Sequence, residues 1–171
     1  MNVQWIGHNG RGRGSRLIKW ATRGKYSHIS IRVIDMPQWL IDWAHSNYGY
    51  VLTRDHDFES LQFKGVIHHP FIPSENQGWY DVIGFVWDEQ KVSKVVKEAC
   101  KLVGSKYDWR GVGGFITRRD VQNSLKWFCS EFGSHLLRKA SIIIMNMPDH
   151  WITPNTGSAS PILRCVKEAI T

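Results

Sequence analysis

The chain has 171 residues, 42% of them hydrophobic and 12% aromatic, which suits one folded domain over residues 1–171 and excludes a disordered chain. Lys and Arg outnumber Asp and Glu by 22 to 15, a net charge of +7, so anionic partners are favoured: nucleic acid, acidic cell-wall polymer or anionic lipid. Residues 2–7 read as a short strand, and Gly10 to Gly14 as a glycine-arginine loop. Ser15 is placed to cap a helix carrying Leu17, Ile18 and Ala21. Residues 27–34 alternate as a strand, with His28, Ser30 and Arg32 on one face and Ile29, Ile31 and Val33 on the other. The turn chemistry of Asp35-Met-Pro-Gln then predicts that residues 39–44 return as the second strand of a hairpin. Further strands are expected at residues 50–53, 64–68 and 79–87. Asp88 caps a helix with apolar Val92, Val95, Val96, Ala99 and Leu102, ended by Gly104. A glycine-rich loop at Gly111-Val-Gly-Gly, a helix starting near Cys129 and a turn at Thr153-Pro-Asn-Thr-Gly complete the chain. The pattern predicts an α+β fold, a small antiparallel sheet with helices on one side.

No basic stretch followed by an apolar one opens the chain, and no apolar run reaches the length of a membrane span. A soluble, cytoplasmic protein without stable membrane insertion is expected. The three cysteines do not form a secreted disulfide framework. Cys100 and Cys165 sit in helix-like apolar surroundings and are expected as buried small hydrophobes. Neither a Cys-x-x-Cys nor a His-x-x-x-His pair occurs, and adjacent His68 and His69 on a strand point to opposite faces. No metal site and no other cofactor is expected.

Cys129, in Lys-Trp-Phe-Cys-Ser-Glu-Phe, opens a helix, where backbone N–H groups stabilise the thiolate that makes a cysteine reactive. His28, in Lys-Tyr-Ser-His-Ile-Ser-Ile, is the candidate base, held on a strand about a hundred residues upstream. A third polar group must orient the imidazole. In the predicted hairpin Asp42 shares the face of His28 if opposed residues sum to an even number, and His45 does so if the sum is odd. Ser27 and Glu131 flank the pair and could shape the pocket, although Glu131 already has a helix-dipole role in a first turn. Tyr107 could aid an oxyanion or line the pocket.

These segments resemble the circularly permuted papain-like hydrolases of the NlpC superfamily, the branch that includes YiiX-like proteins and the lecithin:retinol acyltransferase group. Lys25-Tyr-Ser-His-Ile-Ser-Ile is similar to their histidine strand, Leu40-Ile-Asp-Trp-Ala to the strand after it, and Trp127-Phe-Cys-Ser-Glu to their cysteine motif. Gly104-Ser-Lys-Tyr-Asp-Trp-Arg-Gly resembles the segment between helix and cysteine. The order histidine then cysteine is the permuted one, and the resemblance spans roughly residues 10 to 140. It implies Cys129 as nucleophile, His28 as base and Asp42 as the residue orienting the imidazole, with Asp shorter than the usual Glu or His.

The resemblance implies a cysteine hydrolase acting on an amide, such as a peptidoglycan peptide, or on an ester. A lipid-directed acyltransferase or esterase of the same fold is the alternative. Arg11, Arg13, Arg16, Lys19, Arg23 and Lys25 form a basic cluster suited to an anionic surface, which keeps open a third reading, a non-enzymatic nucleic-acid-binding domain.

Overall fold

The computed structural model describes residues 1–108 and 126–170, so the Gly111-Val-Gly-Gly segment lies outside the described residues. Its centre is a six-stranded antiparallel sheet. The strands are β1 (Asn2–His8), β2 (His28–Ile34), β3 (His56–Leu61), β4 (Gly65–Pro70), β5 (Gln77–Val82) and β8 (Leu163–Lys167), in the order β4-β3-β2-β1-β5-β8. A separate parallel pair joins β6 (Lys106–Tyr107) to β7 (Lys126–Trp127). The helices are α1 (Arg13–Thr22), α2 (Gln38–Tyr48), α3 (Glu89–Leu102), α4 (Cys129–Lys139) and a short α5 (Pro154–Ser158). The expected α+β class is the one observed.

Alternation sorts the sheet into two faces. One carries Val3 and Trp5, Ile29, Ile31 and Val33, Phe58, Val66, and Tyr80 and Val82, all buried. The sheet packs closely against α4: a Cβ at Gly133 would lie 3.0 Å from Trp5 and 3.3 Å from Ile29. Phe132, Leu136 and Leu137 of α4 and Val92, Val95, Val96 and Ala99 of α3 complete this core, each large side chain contributing about 1.5–3 kcal/mol by leaving water. The opposite face is polar: Gln4 and His8, His28, Ser30 and Arg32, Asp57 and Glu59, then His69, in register across four strands. Arg32 is 2% exposed, bonded by Nε to Asp57 Oδ1 at 3.3 Å and lying over Phe71 and Trp79.

The predicted strand at 2–7 and the strand around His28 are present, and α3 starts as expected, with Asp88 accepting from the Lys91 N–H at 2.8 Å. Several expectations fail. Residues 39–44 are helical: α2 follows Pro37, whose fixed φ suits a helix start, and buries Leu40 and Ala44 four residues apart, with Gly49 in the left-handed region at its end. The hairpin partner of β2 is therefore absent from that stretch. Its place is taken by β1 and by β3, a strand that no expected element covered. Ser15 does not cap α1, which starts two residues earlier behind Gly12 and has no side-chain cap. Residues 50–53 form no strand, and β5 ends at Val82 rather than Trp87. Residues 154–158 coil into α5, capped by Thr153, whose Oγ1 accepts from the Thr156 N–H at 3.0 Å. Cys165 lies on β8 and is half-buried, whereas Cys100 is buried on α3 as expected.

Candidate active site

The site forms where the start of β2 meets the start of α4. Cys129 is the first residue of α4, behind Phe128 as N-cap, and Glu131 accepts from the Phe128 N–H at 3.2 Å. That bond satisfies an orphan donor of the first turn and fixes the chain entering the helix. Ser130 reaches across to the Ile152 carbonyl. Ser60 on β3 donates to the Trp127 carbonyl at 2.7 Å, tying the approach to Cys129 onto the sheet. The sulfur has no exposed surface and sits in a small cluster with Ile18 of α1, Tyr107 and Phe128.

His28 is positioned by its neighbours. Tyr26, two residues earlier, is fully buried; a Cβ at Gly7 would stand 2.8 Å from its ring and one at Gly78 2.0 Å from its hydroxyl, so only glycine leaves room for that ring. Asn155 of α5 clamps the same residue from both sides, accepting from the Tyr26 N–H and donating to the Tyr26 carbonyl, each at 2.8 Å. Together they hold the entry to β2.

The His28 side chain lies near enough to Cys129 for the sulfur to help raise its pKa, and its Nε2 lies 2.5 Å from Glu59 Oε2. With Nε2 engaged by the carboxylate, Nδ1 is the nitrogen left for the sulfur. Burial opposes the charged imidazole, but the Glu59 charge and the Cys129 contact outweigh it and push its pKa up to about 10. Glu59 is buried too, which alone would raise it; His28 and His69 instead hold it well below the usual carboxylate range. His69 donates from Nε2 to Glu59 Oε1 at 2.9 Å, and its Nδ1 lies 2.9 Å from the Pro70 carbonyl. Both nitrogens thus act as donors, and the Glu59 bond helps push its pKa up to about 9. One carboxylate therefore bridges two imidazolium groups.

Tyr107 borders the sulfur in the same buried cluster, and burial followed by the nearby Cys129 charge pushes its pKa up. The site thus brings together Cys129, His28 and Tyr107 as the sequence reading expected, with Glu131 in a helix-start role. It does not include Asp42 or His45. Asp42 is on α2, where its carboxylate accepts from Gln38 Nε2 at 2.9 Å, and His45 is an exposed residue in the last turn of the same helix. Both readings needed a strand where a helix forms. Ser27 is buried beside His28, where its hydroxyl accepts from the Gly10 N–H at 3.2 Å and donates to the His8 carbonyl at 3.3 Å, tying the glycine-arginine loop to β1.

Glu59 is the residue the sequence reading missed. Alternation in His56-Asp-Phe-Glu-Ser-Leu was a strand signal, with both faces buried, and Glu59 opposes Ser30 across β2 and β3.

His8 also escaped notice. It opposes His28 across β1 and β2, with ring centres 5.1 Å apart. Burial, and then the His28 charge, lower its pKa to about 3, so the ring is neutral with a lone pair available, and its Nε2 lies 2.8 Å from Ser30 Oγ. One ligand atom each from His8, His28 and Glu59 lies within 4.8 Å of the others. Two imidazoles and a carboxylate are a donor set suited to a zinc-like cation with an open fourth position, where water can bind. Close spacing in sequence does not mark this set, because its ligands come from three strands. Such a cation would compete with the His28–Glu59 hydrogen bond for the same atoms.

No family model and no curated protein matches the chain. Its fold matches the crystal structure of metalloprotein YiiX from Escherichia coli O157:H7, with a TM-score of 0.67 over 98% of this chain and 97% of that one, at 16% identity. The chain shares the YiiX-like fold.

Proposed function

We propose that this protein is a cysteine-dependent hydrolase of the permuted papain-like kind, with Cys129 as nucleophile, His28 as acid and base, and Glu59 as the group that orients and charges the imidazole. The observation that supports this reading best is the His28–Glu59 pair, 2.5 Å apart, set beside a Cys129 that opens a helix and raises the His28 pKa. Proton transfer from sulfur to imidazole leaves a thiolate–imidazolium pair, which the Glu59 charge and the α4 N-terminus stabilise. The thiolate attacks the substrate carbonyl carbon, and the oxygen of the tetrahedral intermediate takes the negative charge. The Tyr107 hydroxyl and the first N–H groups of α4 are the donors placed to receive it. His28 protonates the leaving nitrogen or oxygen as the bond to carbon breaks, giving a thioester. It then takes a proton from water, which attacks the thioester, releases the acid and restores the thiol. An amide, such as a peptide bond in a cell-wall crosslink, is the favoured substrate class, with an ester as the alternative.

Alkylation by iodoacetamide from pH 5 to 9, mapped by peptide, tests the pair. Cys100 is an internal control for burial, since burial alone pushes its thiol up to about 12. Cys129 is expected to react well below the ordinary thiol range of about 8.5, with that reactivity lost in His28→Ala and Glu59→Gln. Equal behaviour of Cys129 and Cys100 would remove the basis of the reading.

A second reading has a specific observation behind it, the His8, His28 and Glu59 set, and the structural neighbour is described as a metalloprotein. In it the three side chains hold a divalent cation that supplies an activated water. The two readings separate on Cys129→Ala, which abolishes thiol catalysis and spares a metal-dependent one, and on His8→Ala, which does the reverse. Zinc binding by the two variants, read by competition with a chromophoric chelator, gives the same division without an activity assay.

A further inference from the structure

We propose that α1 is a docking helix for anionic lipid surfaces, bringing the Cys129 site up to a bilayer. The first acidic residue of the chain is Asp35, so the loop before α1, the helix and the residues after it carry only positive charge. Arg13, Arg16, Leu17 and Trp20 are exposed and occupy an arc of about 100° on the helix. Trp20 is 72% exposed and Leu17 49%, an unusual investment of apolar surface in water. Arg11 and Arg23 extend the basic edge, and none of the four arginines forms an ion pair among the described residues. The two remaining cations of the segment are engaged, Lys19 with the Asn9 side-chain oxygen and Lys25 with Glu168.

The opposite side of the same helix bears Ile18, buried with Tyr107, Phe128 and Cys129. One helix diameter, about 10 Å, therefore separates the exposed ridge from the candidate nucleophile. A tryptophan and a leucine ringed by arginines match the chemistry of a headgroup layer: apolar side chains enter the acyl boundary while guanidinium groups meet phosphates. A helix of 10 residues is too short to cross a bilayer, so it lies in the interface plane. Nucleic acid would satisfy the arginines and a stacked tryptophan but gives Leu17 no partner. The proposal deepens the hydrolase reading by pointing it towards acyl groups presented at a membrane, and it stands on surface residues that the alkylation test does not touch.

The test is flotation of the full chain with vesicles of phosphatidylcholine alone or with 30% (~3 in 10 lipids) phosphatidylglycerol, at low and high salt. Binding is expected only with phosphatidylglycerol and is expected to weaken with salt. The double variant Leu17→Ser/Trp20→Ser and the charge reversal Arg13→Glu/Arg16→Glu should each reduce the bound fraction at least tenfold, with circular dichroism unchanged. Cys129→Ala should float like the parent chain, which separates docking from catalysis. Absence of binding to anionic vesicles overturns the proposal. So does binding that both variants retain, or retention of a single-stranded oligonucleotide that only the charge reversal abolishes while vesicles are ignored.

Discussion

His28 and Glu59 lie diagonally across neighbouring strands, and Nε2 of one stands 2.5 Å from Oε2 of the other. The residue directly opposite Glu59 is Ser30, whose small side chain leaves the carboxylate able to reach along the sheet to the imidazole. The charge of Glu59, whose side chain is 8% exposed, is the chief influence keeping His28 protonated against its own burial.

Glu59→Gln keeps the shape and removes that charge. The His28 pKa is expected to fall from about 10 back towards or below its ordinary 6.5, and the pH at which Cys129 alkylates should rise with it. If the hydrolase reading holds, kcat is expected to fall by a factor of about 10²–10⁴, the range of a general acid-base contribution. The alkylation profile is the direct measurement, because a merely structural loss would not move its midpoint in this direction.

Asp42→Ala and His45→Ala should both be silent in the same assay. Among the described residues the Asp42 side chain bonds only Gln38 on the surface of α2, and His45 is exposed. Surface changes of this kind fall within about ±0.5 kcal/mol, so alkylation rate and denaturation midpoint should both match the parent chain.

Why Cys129 and His28 were legible in the sequence and Glu59 was not follows from how each is held. The first two sit at the ends of elements with their own local signals: an apolar helix pattern after Phe128, and strict alternation after Ser27. The third residue depended on which segment pairs with β2, a non-local question. Gln38 to Tyr48, with Trp39, Ile41 and Trp43, has strand-like composition, but Leu40 and Ala44 at helical spacing under Pro37 decide it as a helix. His56 to Leu61 carries charged residues, yet Asp57 and Glu59 are buried because Arg32, opposite Asp57, and His28, diagonal to Glu59, neutralise them. Partners of that kind become visible only when the strands are in register. His8 was hidden for the same reason, twenty residues from His28 in sequence and directly across from it in the sheet.

Tyr107→Phe removes the hydroxyl beside Cys129 while keeping the ring against Phe128. Under the hydrolase reading, loss of one oxyanion donor is expected to lower kcat about 10²–10³-fold with little change in KM. Steady-state kinetics on a cleaved amide or ester substrate reads this. A change confined to KM would reassign Tyr107 to the pocket wall.

The metal-free protein, kept in chelator, should be most stable near neutral pH. His28 and His69 have folded pKa values raised to about 10 and about 9, so their contribution is complete below about 6.5 and is lost as pH rises through those values. On the acid side, Glu59 is held below its ordinary value and His8 is lowered to about 3; their contributions are lost as pH falls below about 4.5 and 6.5 respectively. Asp57, raised to about 6 by burial despite Arg32, acts in the opposite sense, favouring the folded state most at low pH. Urea midpoints at pH 7 and 10 should therefore differ, and Glu59→Gln should flatten the alkaline limb. A parent chain equally stable at both values would contradict the two-imidazolium arrangement.

Asn155→Ala tests how the histidine strand is placed from a distance. Its side chain accepts from the Tyr26 N–H, and its amide donates to the Tyr26 carbonyl and to Thr22 Oγ1. Removing it leaves backbone groups next to a fully buried tyrosine without their partners, a loss of about 1–3 kcal/mol. The urea midpoint should fall by that free energy divided by m, with m itself unchanged, since no large surface is newly exposed on unfolding. Tyr26 stays pinned between Gly7, Gly78 and Tyr80, whose hydroxyl lies 2.9 Å from its own. The folded site should therefore survive with a slower Cys129 alkylation at an unchanged midpoint pH. That combination marks Asn155 as a positioning residue, because removing a charge partner of His28 would shift the midpoint and loosening the strand would not.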